Sequence, residues 1–164
     1  EIGFGNGENL VDCAKKDPNS NFTGIEVYPS GIGQCLINAN KYDLKNLRLF
    51  CNDAVDILNK RIANESLDVI NIFFPDPWPK KRHHKRRLIS EDFIVLIKSK
   101  LKQNGLVHIC TDWAAYGHDI SALFESNKEF KPLETFPKRL QTKFEKKGLA
   151  IGHSIYEFAF QLVL

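Results

Sequence analysis

Four carboxylates and a cluster of glycines mark where this 164-residue sequence could do chemistry. Glu1 opens the pattern Glu1-x-Gly3-x-Gly5-x-Gly7, and Glu26, Asp53 and Asp76 follow at wider intervals. Closely spaced glycines let a turn take dihedrals closed to other residues and let a ligand approach the main chain. Two phosphate-binding readings fail on spacing. After Gly3 and Gly5, the fingerprint GxGxxG needs a third glycine where the chain has Glu8. A Walker A loop needs Gly-Lys-Ser/Thr where it has Gly7-Glu8-Asn9. An acid just before the first glycine instead suits a ligand that carries positive charge. An adenosine ligand with a cationic amino-acid tail fits. Glu26 can accept both ribose hydroxyls and Asp53 the adenine amino group, in charge-assisted hydrogen bonds of about 1.5–3 kcal/mol each.

A second constellation is FFPDPWPKKRHHKRRLI, residues 73–89. Pro75, Pro77 and Pro79 fix dihedrals and withdraw donors, so Asp76 and Trp78 stand in a stiff turn. The indole can stack on a base or simply pack. The net charge of +3 hides an asymmetry: residues 80–87 hold six of the 23 Lys and Arg and no acid. That leaves 17 basic against 20 acidic residues elsewhere. One basic segment on a slightly acidic body is the footprint expected for a polyanion partner; away from a site, such a run is a solvated loop. His83-His84 lack a third ligand at zinc spacing, so no metal is expected. Taken alone, Asp112, Lys143 and Glu145 read as a surface ion-pair group.

The elements that must position these groups are legible as alternating patterns. Ile2 ends a strand, and a helix with Leu10, Val11 and Ala14 inward stops before Pro18. Strands are expected at 22–26, 47–51, 67–74 and 106–111. Helices are expected around Ile32, Cys35, Leu36 and Ala39, over 54–62, through Phe93, Leu96, Ile97 and Leu101 up to Asn104-Gly105, and through Tyr116, Ile120, Leu123 and Phe124. A last strand shows in the alternation of Tyr156, Phe158, Phe160 and Leu162 with their neighbours. Strands alternating with helices predict a mainly parallel, doubly wound α/β sheet. Ligands of such sheets bind at the carboxyl ends of the strands, which is where Glu26, Asp53, Asp76 and Thr111-Asp112 fall.

With these residues in hand, EIGFGNG with Glu26 and Asp53 resembles the S-adenosylmethionine site of class I methyltransferases. FPDPWPKKRHHKRR, with TDW at 111–113 and TKFExKGxxxGH at 142–153, is more specific. Together they resemble the bacterial tRNA (guanine-N7)-methyltransferase family over nearly the whole chain. The resemblance implies a Rossmann-like fold with an antiparallel C-terminal strand, S-adenosyl-L-methionine as cofactor, tRNA as partner, a variable-loop guanine as target and a cytoplasmic setting. It implies cofactor contacts from Glu1, Gly3, Gly5, Glu26, Asp53, Ala54 and Asp76, with Asp76 also catalytic. It implies substrate contacts from Lys80, Asp112, Thr142, Lys143, Phe144 and Glu145, and an RNA-binding loop of Arg82, His83, His84, Lys85, Arg86 and Arg87. Guanine N7 offers a lone pair and no proton, so methyl transfer to it needs no obligatory base. Asp76 is therefore expected to stabilise the cationic ring and position it. Members often have Arg-Pro before TKFE; here Arg139-Leu140-Gln141 stands there.

Other readings bound the chain. One domain is expected over residues 1–164. Glu1-Ile2 reads as the tail of a strand and the chain starts without Met, so preceding residues, including the family's N-terminal extension, are expected. No apolar run approaches ~20 residues, so no membrane span is expected. Cys13, Cys35, Cys51 and Cys110 are widely spaced and read as reduced thiols of a cytosolic protein. Nothing in the sequence specifies an oligomeric state.

Overall fold

Helices and strands alternate along the chain, which a computed structural model describes for residues 1–163. The strands are β1 (Phe22–Glu26), β2 (Leu47–Cys51), β3 (Leu67–Phe73), β4 (Leu101–Thr111), β5 (Phe130–Pro132) and β6 (Tyr156–Leu162). The helices are α1 (Glu8–Lys16), α2 (Pro29–Lys41), α3 (Ala54–Arg61), α4 (Glu91–Lys100), α5 (Ala114–Glu125) and α6 (Lys143–Ala150), with a 3-10 segment at Lys81–Arg86. Helix starts follow local chemistry. Pro29 opens α2 with its dihedral preset. The side chains of Asp53, Ser90 and Thr142 accept from backbone N–H groups three residues on and cap α3, α4 and α6.

β1 pairs parallel with β2, and β3 parallel with β4. Ile2 bridges both Ile25 of β1 and Ile72 of β3, which joins the two halves. β6 runs antiparallel between β4 and β5. The order is thus β2-β1-Ile2-β3-β4-β6-β5: a mainly parallel sheet with an antiparallel C-terminal strand, as expected. The main core packs Ile70, Ile72, Val107, Ile109 and Phe160 of the sheet against Leu58, Phe93, Ile97, Ile120 and Phe124 of the helices. A smaller cluster of Phe4, Leu10, Val11 and Cys35 joins α1 to α2.

Two boundaries differ from the periodic reading. Leu101 falls on the apolar stripe of α4, yet the helix ends at Lys100 and Leu101 already pairs with Leu67 of β3. Residues 102–105 then bulge, with Asn104 in a left-handed conformation, before regular pairing resumes at Leu106. Tertiary pairing of one leucine overrides a helical period. The three-residue strand β5 carries too short a pattern to be read from sequence.

Candidate active site

The glycine turn after Ile2 folds because three of its positions are left-handed: Gly3, Gly5 and Gly7 have φ of 70°, 56° and 74°. A Cβ on Gly3 or Gly5 would project into open space, whereas one on Gly7 would lie 2.4 Å from the Cys35 Sγ. The first two keep a ligand's path clear, and the third lets α1 close on α2. Glu26, at the end of β1, is buried and already oriented. Its Oε2 accepts from the Gly5 N–H at 2.8 Å, and its Oε1 from the N–H groups of Val27 (2.7 Å) and Tyr28 (3.1 Å). Asp53 spends one oxygen on the Asp56 N–H at 3.1 Å, and its carboxylate stays exposed. Glu1 accepts from the Asn9 side-chain amide at 2.6 Å; burial raises its carboxyl above the ordinary value.

These groups line two clefts. One is walled by Gly3, Glu26, Asp53, Ala54, Asp76 and Trp78, with Phe73 and Phe74. The other is walled by Glu1, Gly3, Gly5, Thr142, Lys143 and Phe144, again with Phe73 and Phe74. They meet along Gly3, Phe73 and Phe74, so the expected cofactor residues share one trough across the carboxyl edge of the sheet. The open space over Gly3 and Gly5, with oriented acids along the trough, fits an adenosine with a cationic tail.

Asp76 sits exposed at the rim, in a turn whose ends are strained: Phe74 and Trp78 have φ of 54° and 44° without being glycine. Such conformations cost about 1–3 kcal/mol each and persist only where the surroundings enforce them. Arg87 enforces this one. Its Nε donates to the Pro77 carbonyl at 2.7 Å, its guanidinium pairs with Asp119, and it lies over the Tyr116 ring. With a side chain only 5% exposed, Arg87 is a brace behind the turn, not a member of an RNA-facing surface. This corrects the expectation from the basic run. His83 and His84 are also half-engaged, His83 edge-on to Trp78 and His84 at 3.2 Å from Arg87. The Arg86 guanidinium lies 5.0 Å over the Trp78 ring, so this indole packs within the turn. Lys80, Lys81, Arg82, Lys85 and Arg86 remain exposed.

The far wall is brought from the C-terminal third. Thr142 caps α6, Lys143 reaches Glu8 at 2.8 Å, and Phe144 packs against Phe74 with ring centres 5.4 Å apart. Asp112, after β4, pairs with His153 at 2.9 Å. Glu145 departs from expectation: it is buried, and both its oxygens are taken by Arg139 at 2.6 and 2.9 Å. It anchors the helix and has no free edge for a substrate. Arg139 also donates to Glu157 at 3.0 and 3.3 Å, and His108 lies 2.7 Å from that carboxylate. Burial opposes every charge here. The bonds from Arg139 and His108 nonetheless hold Glu157 below its ordinary value, and those to Glu145 and Glu157 raise Arg139. Burial lowers His108 despite Glu157. His108, Cys110 and Glu157 bring ligand atoms within 4.8 Å of one another, but Arg139 supplies the positive charge at that carboxylate. Neither Arg139 nor Asn9 was singled out by the sequence patterns. The only hint was the position of Arg139 just before TKFE.

Comparison with known proteins decides the family. Residues 1–158 match the methyltransferase family model Methyltransf_4. The tRNA (guanine-N(7)-)-methyltransferase of Salmonella typhimurium is 44% identical over 99% of this chain and 71% of its own length. Its namesake from Buchnera aphidicola is 47% identical over the same shares. This chain belongs to the tRNA (guanine-N(7)-)-methyltransferase family. Solved structures of much lower identity share the fold of this chain. A precorrin-6y C5,15-methyltransferase from Geobacter metallireducens superposes with a TM-score of 0.68 at 15% identity, over 98% of this chain and 78% of its own. The aminoglycoside resistance methyltransferase NpmB1 also gives 0.68, at 18% identity over 99% and 85%. Both likenesses support the class I methyltransferase architecture of this tRNA (guanine-N(7)-)-methyltransferase relative.

Proposed function

We propose that residues 1–164 form a single methyltransferase domain that transfers the methyl group of S-adenosylmethionine to N7 of a variable-loop guanine in tRNA, in the cytoplasm. The observation that carries this reading is the meeting of two clefts at Gly3, Phe73 and Phe74. Asp76 lines the first of these clefts, and the basic segment follows it in the chain. S-adenosylmethionine, when bound, supplies an electrophilic methyl group on a sulfonium. Glu26 and Asp53 hold its adenosine end, Glu1 attracts the cationic amino-acid end, and Gly3 and Gly5 give it room. Family membership supports tRNA as acceptor. The free thiols, and the lack among the described residues of a helix long and apolar enough to cross a membrane, agree with the cytoplasmic setting.

The chain's own residues then orient and stabilise. Lys80, Lys81, Arg82 and Lys85 attract the phosphate backbone. Phe144, packed on Phe74, lines the place for a guanine, and the family resemblance adds Asp112 as a substrate contact. Because N7 gives up no proton, the ring becomes cationic as it is methylated, and the Asp76 carboxylate faces that charge. Fixed groups of this kind lower barriers by about 3–4 kcal/mol. A guanine engaged in tertiary pairing must be loosened, at a cost of a few kcal/mol.

Methyl-labelled cofactor and unmodified tRNA, incubated with the full-length protein, provide the test. Reduction followed by aniline cleaves RNA at 7-methylguanine, and we expect scission at one variable-loop guanine. Label on another atom, or none in tRNA, overturns the reading.

A further inference from the structure

Asn9 is 2% exposed in the first turn of α1, and both ends of its amide are used. Nδ2 donates to Glu1 Oε2 at 2.6 Å, and Oδ1 accepts from the Leu140 backbone N–H at 2.9 Å. These two partners fix the orientation of the amide: a carboxylate can only accept and a backbone N–H only donate. Leu140 is 131 residues away in sequence and follows Arg139, which grips Glu145 through two hydrogen bonds in the first turn of α6. One polar chain therefore runs from the cofactor trough to the helix bearing Phe144: Glu1, Asn9, the 139–140 segment, Glu145. The Leu140 N–H supplies its middle link, which a proline at that position would lack.

We propose that Asn9 is a positioning residue that couples the cofactor carboxylate Glu1 to the guanine-side helix α6, so that cofactor and tRNA bind with positive cooperativity. The inference rests on the functional reading above, which places the cofactor tail at Glu1 and the target base at α6. A cationic tail that settles on Glu1 fixes the carboxylate, and the carboxylate fixes the donor edge of Asn9. The acceptor edge of the same rigid amide then holds Leu140, and with it the backbone that carries Arg139 to Glu145. By linkage, tRNA that orders α6 must tighten the cofactor site by the same factor. Cys13 Sγ, 3.9 Å from the Asn9 Oδ1, is the other polar neighbour and leads to no ligand.

The test is a binding cycle on the full-length protein with S-adenosylhomocysteine and unmodified tRNA, each titrated alone and in the presence of the other. In the wild type, saturating nucleoside is expected to tighten tRNA about tenfold, and the reverse. In Asn9→Ala and in Leu140→Pro the coupling is expected to fall below about twofold, with each separate affinity within about threefold of wild type. Asn9→Asp keeps the acceptor for Leu140 but loses the donor to Glu1, and is expected to uncouple as well. Leu140→Pro removes the N–H at an exposed position, though it also fixes the local φ and restricts Arg139, and it carries the test if Asn9→Ala does not fold. Coupling that is absent in the wild type, or unchanged in the variants, overturns the inference. A wild type that binds neither ligand refutes the functional reading instead.

Discussion

Replacing Arg139 with methionine tests the scaffold under the site most directly. The guanidinium side chain is 8% exposed and makes four hydrogen bonds to two carboxylates, and it lies 5.3 Å over the Phe73 ring. Methionine keeps much of the packing and removes the charge. Glu145, with a side chain 4% exposed, is then left as a buried anion with no cation, and Glu157 keeps only His108. Removing one partner of a buried pair costs about 3–5 kcal/mol. That is a large share of the ~5–15 kcal/mol that stabilises a typical domain. For a chain of this size each kcal/mol moves the melting point by about 2–4 °C, so a fall of roughly 6–20 °C is expected. The pH dependence separates charge from packing. Glu157, which Arg139 and His108 hold below its ordinary value, loses the Arg139 contribution, so the folded variant binds more protons than the folded wild type as pH falls. The penalty is therefore full near pH 7.5 and shrinks toward pH 5. Urea unfolding at both pH values measures it. A penalty under about 1 kcal/mol, or one that does not change with pH, refutes the account.

Three further outcomes follow from the same geometry. Asp76→Asn is expected to retain cofactor and tRNA affinity and to lose about 10²–10³-fold in kcat, measured in single-turnover assays; near-normal turnover refutes its role. Replacing Lys80, Lys81, Arg82 and Lys85 together with glutamine is expected to weaken tRNA binding and flatten its salt dependence by ~0.7–0.9 log units per lost contact, with cofactor affinity unchanged; an unaltered slope refutes the assignment. Stability of the wild type is expected to fall as pH drops below about 6.5. Burial lowers His108 in the folded state, so the unfolded chain takes up its proton first and stability is lost as pH falls toward the folded value. Glu157, held below its ordinary value, extends the loss further into acid. Unfolding curves from pH 8 to 4 check the sign.

Local rules made most of the fold legible. The apolar run LDVINIFF and the stripe Phe93, Leu96 and Ile97 suffice to locate β3 and α4, because burial and period agree there. The acids at strand ends were legible for the same reason: Glu26 and Asp53 end or follow strands that read plainly. What sequence could not show is which charges face inward. Arg87 belongs to a run of like charge and reads as solvated, yet Asp119, 32 residues on, draws it under the turn. Glu145 sits in a motif expected to contact substrate, yet Arg139 claims both its oxygens. Asn9 looks like any polar residue in the first turn of a helix until Leu140 arrives from the far end of the chain. These contacts are set by topology, and no periodicity encodes them.

The placement of β6 has a bearing on how the protein is made. Last of the strands in chain order, it lies inside the sheet, between β4 and β5, and carries Glu157 to Arg139. A nascent chain that has emerged only as far as residue 155 therefore leaves the Leu106–Thr111 edge bare and β5 without its neighbour. Open strand edges invite foreign pairing. Products of premature termination in this region should thus be clients for chaperones and proteases, with α6 already made but Arg139 still lacking the Glu157 carboxylate that β6 brings to it.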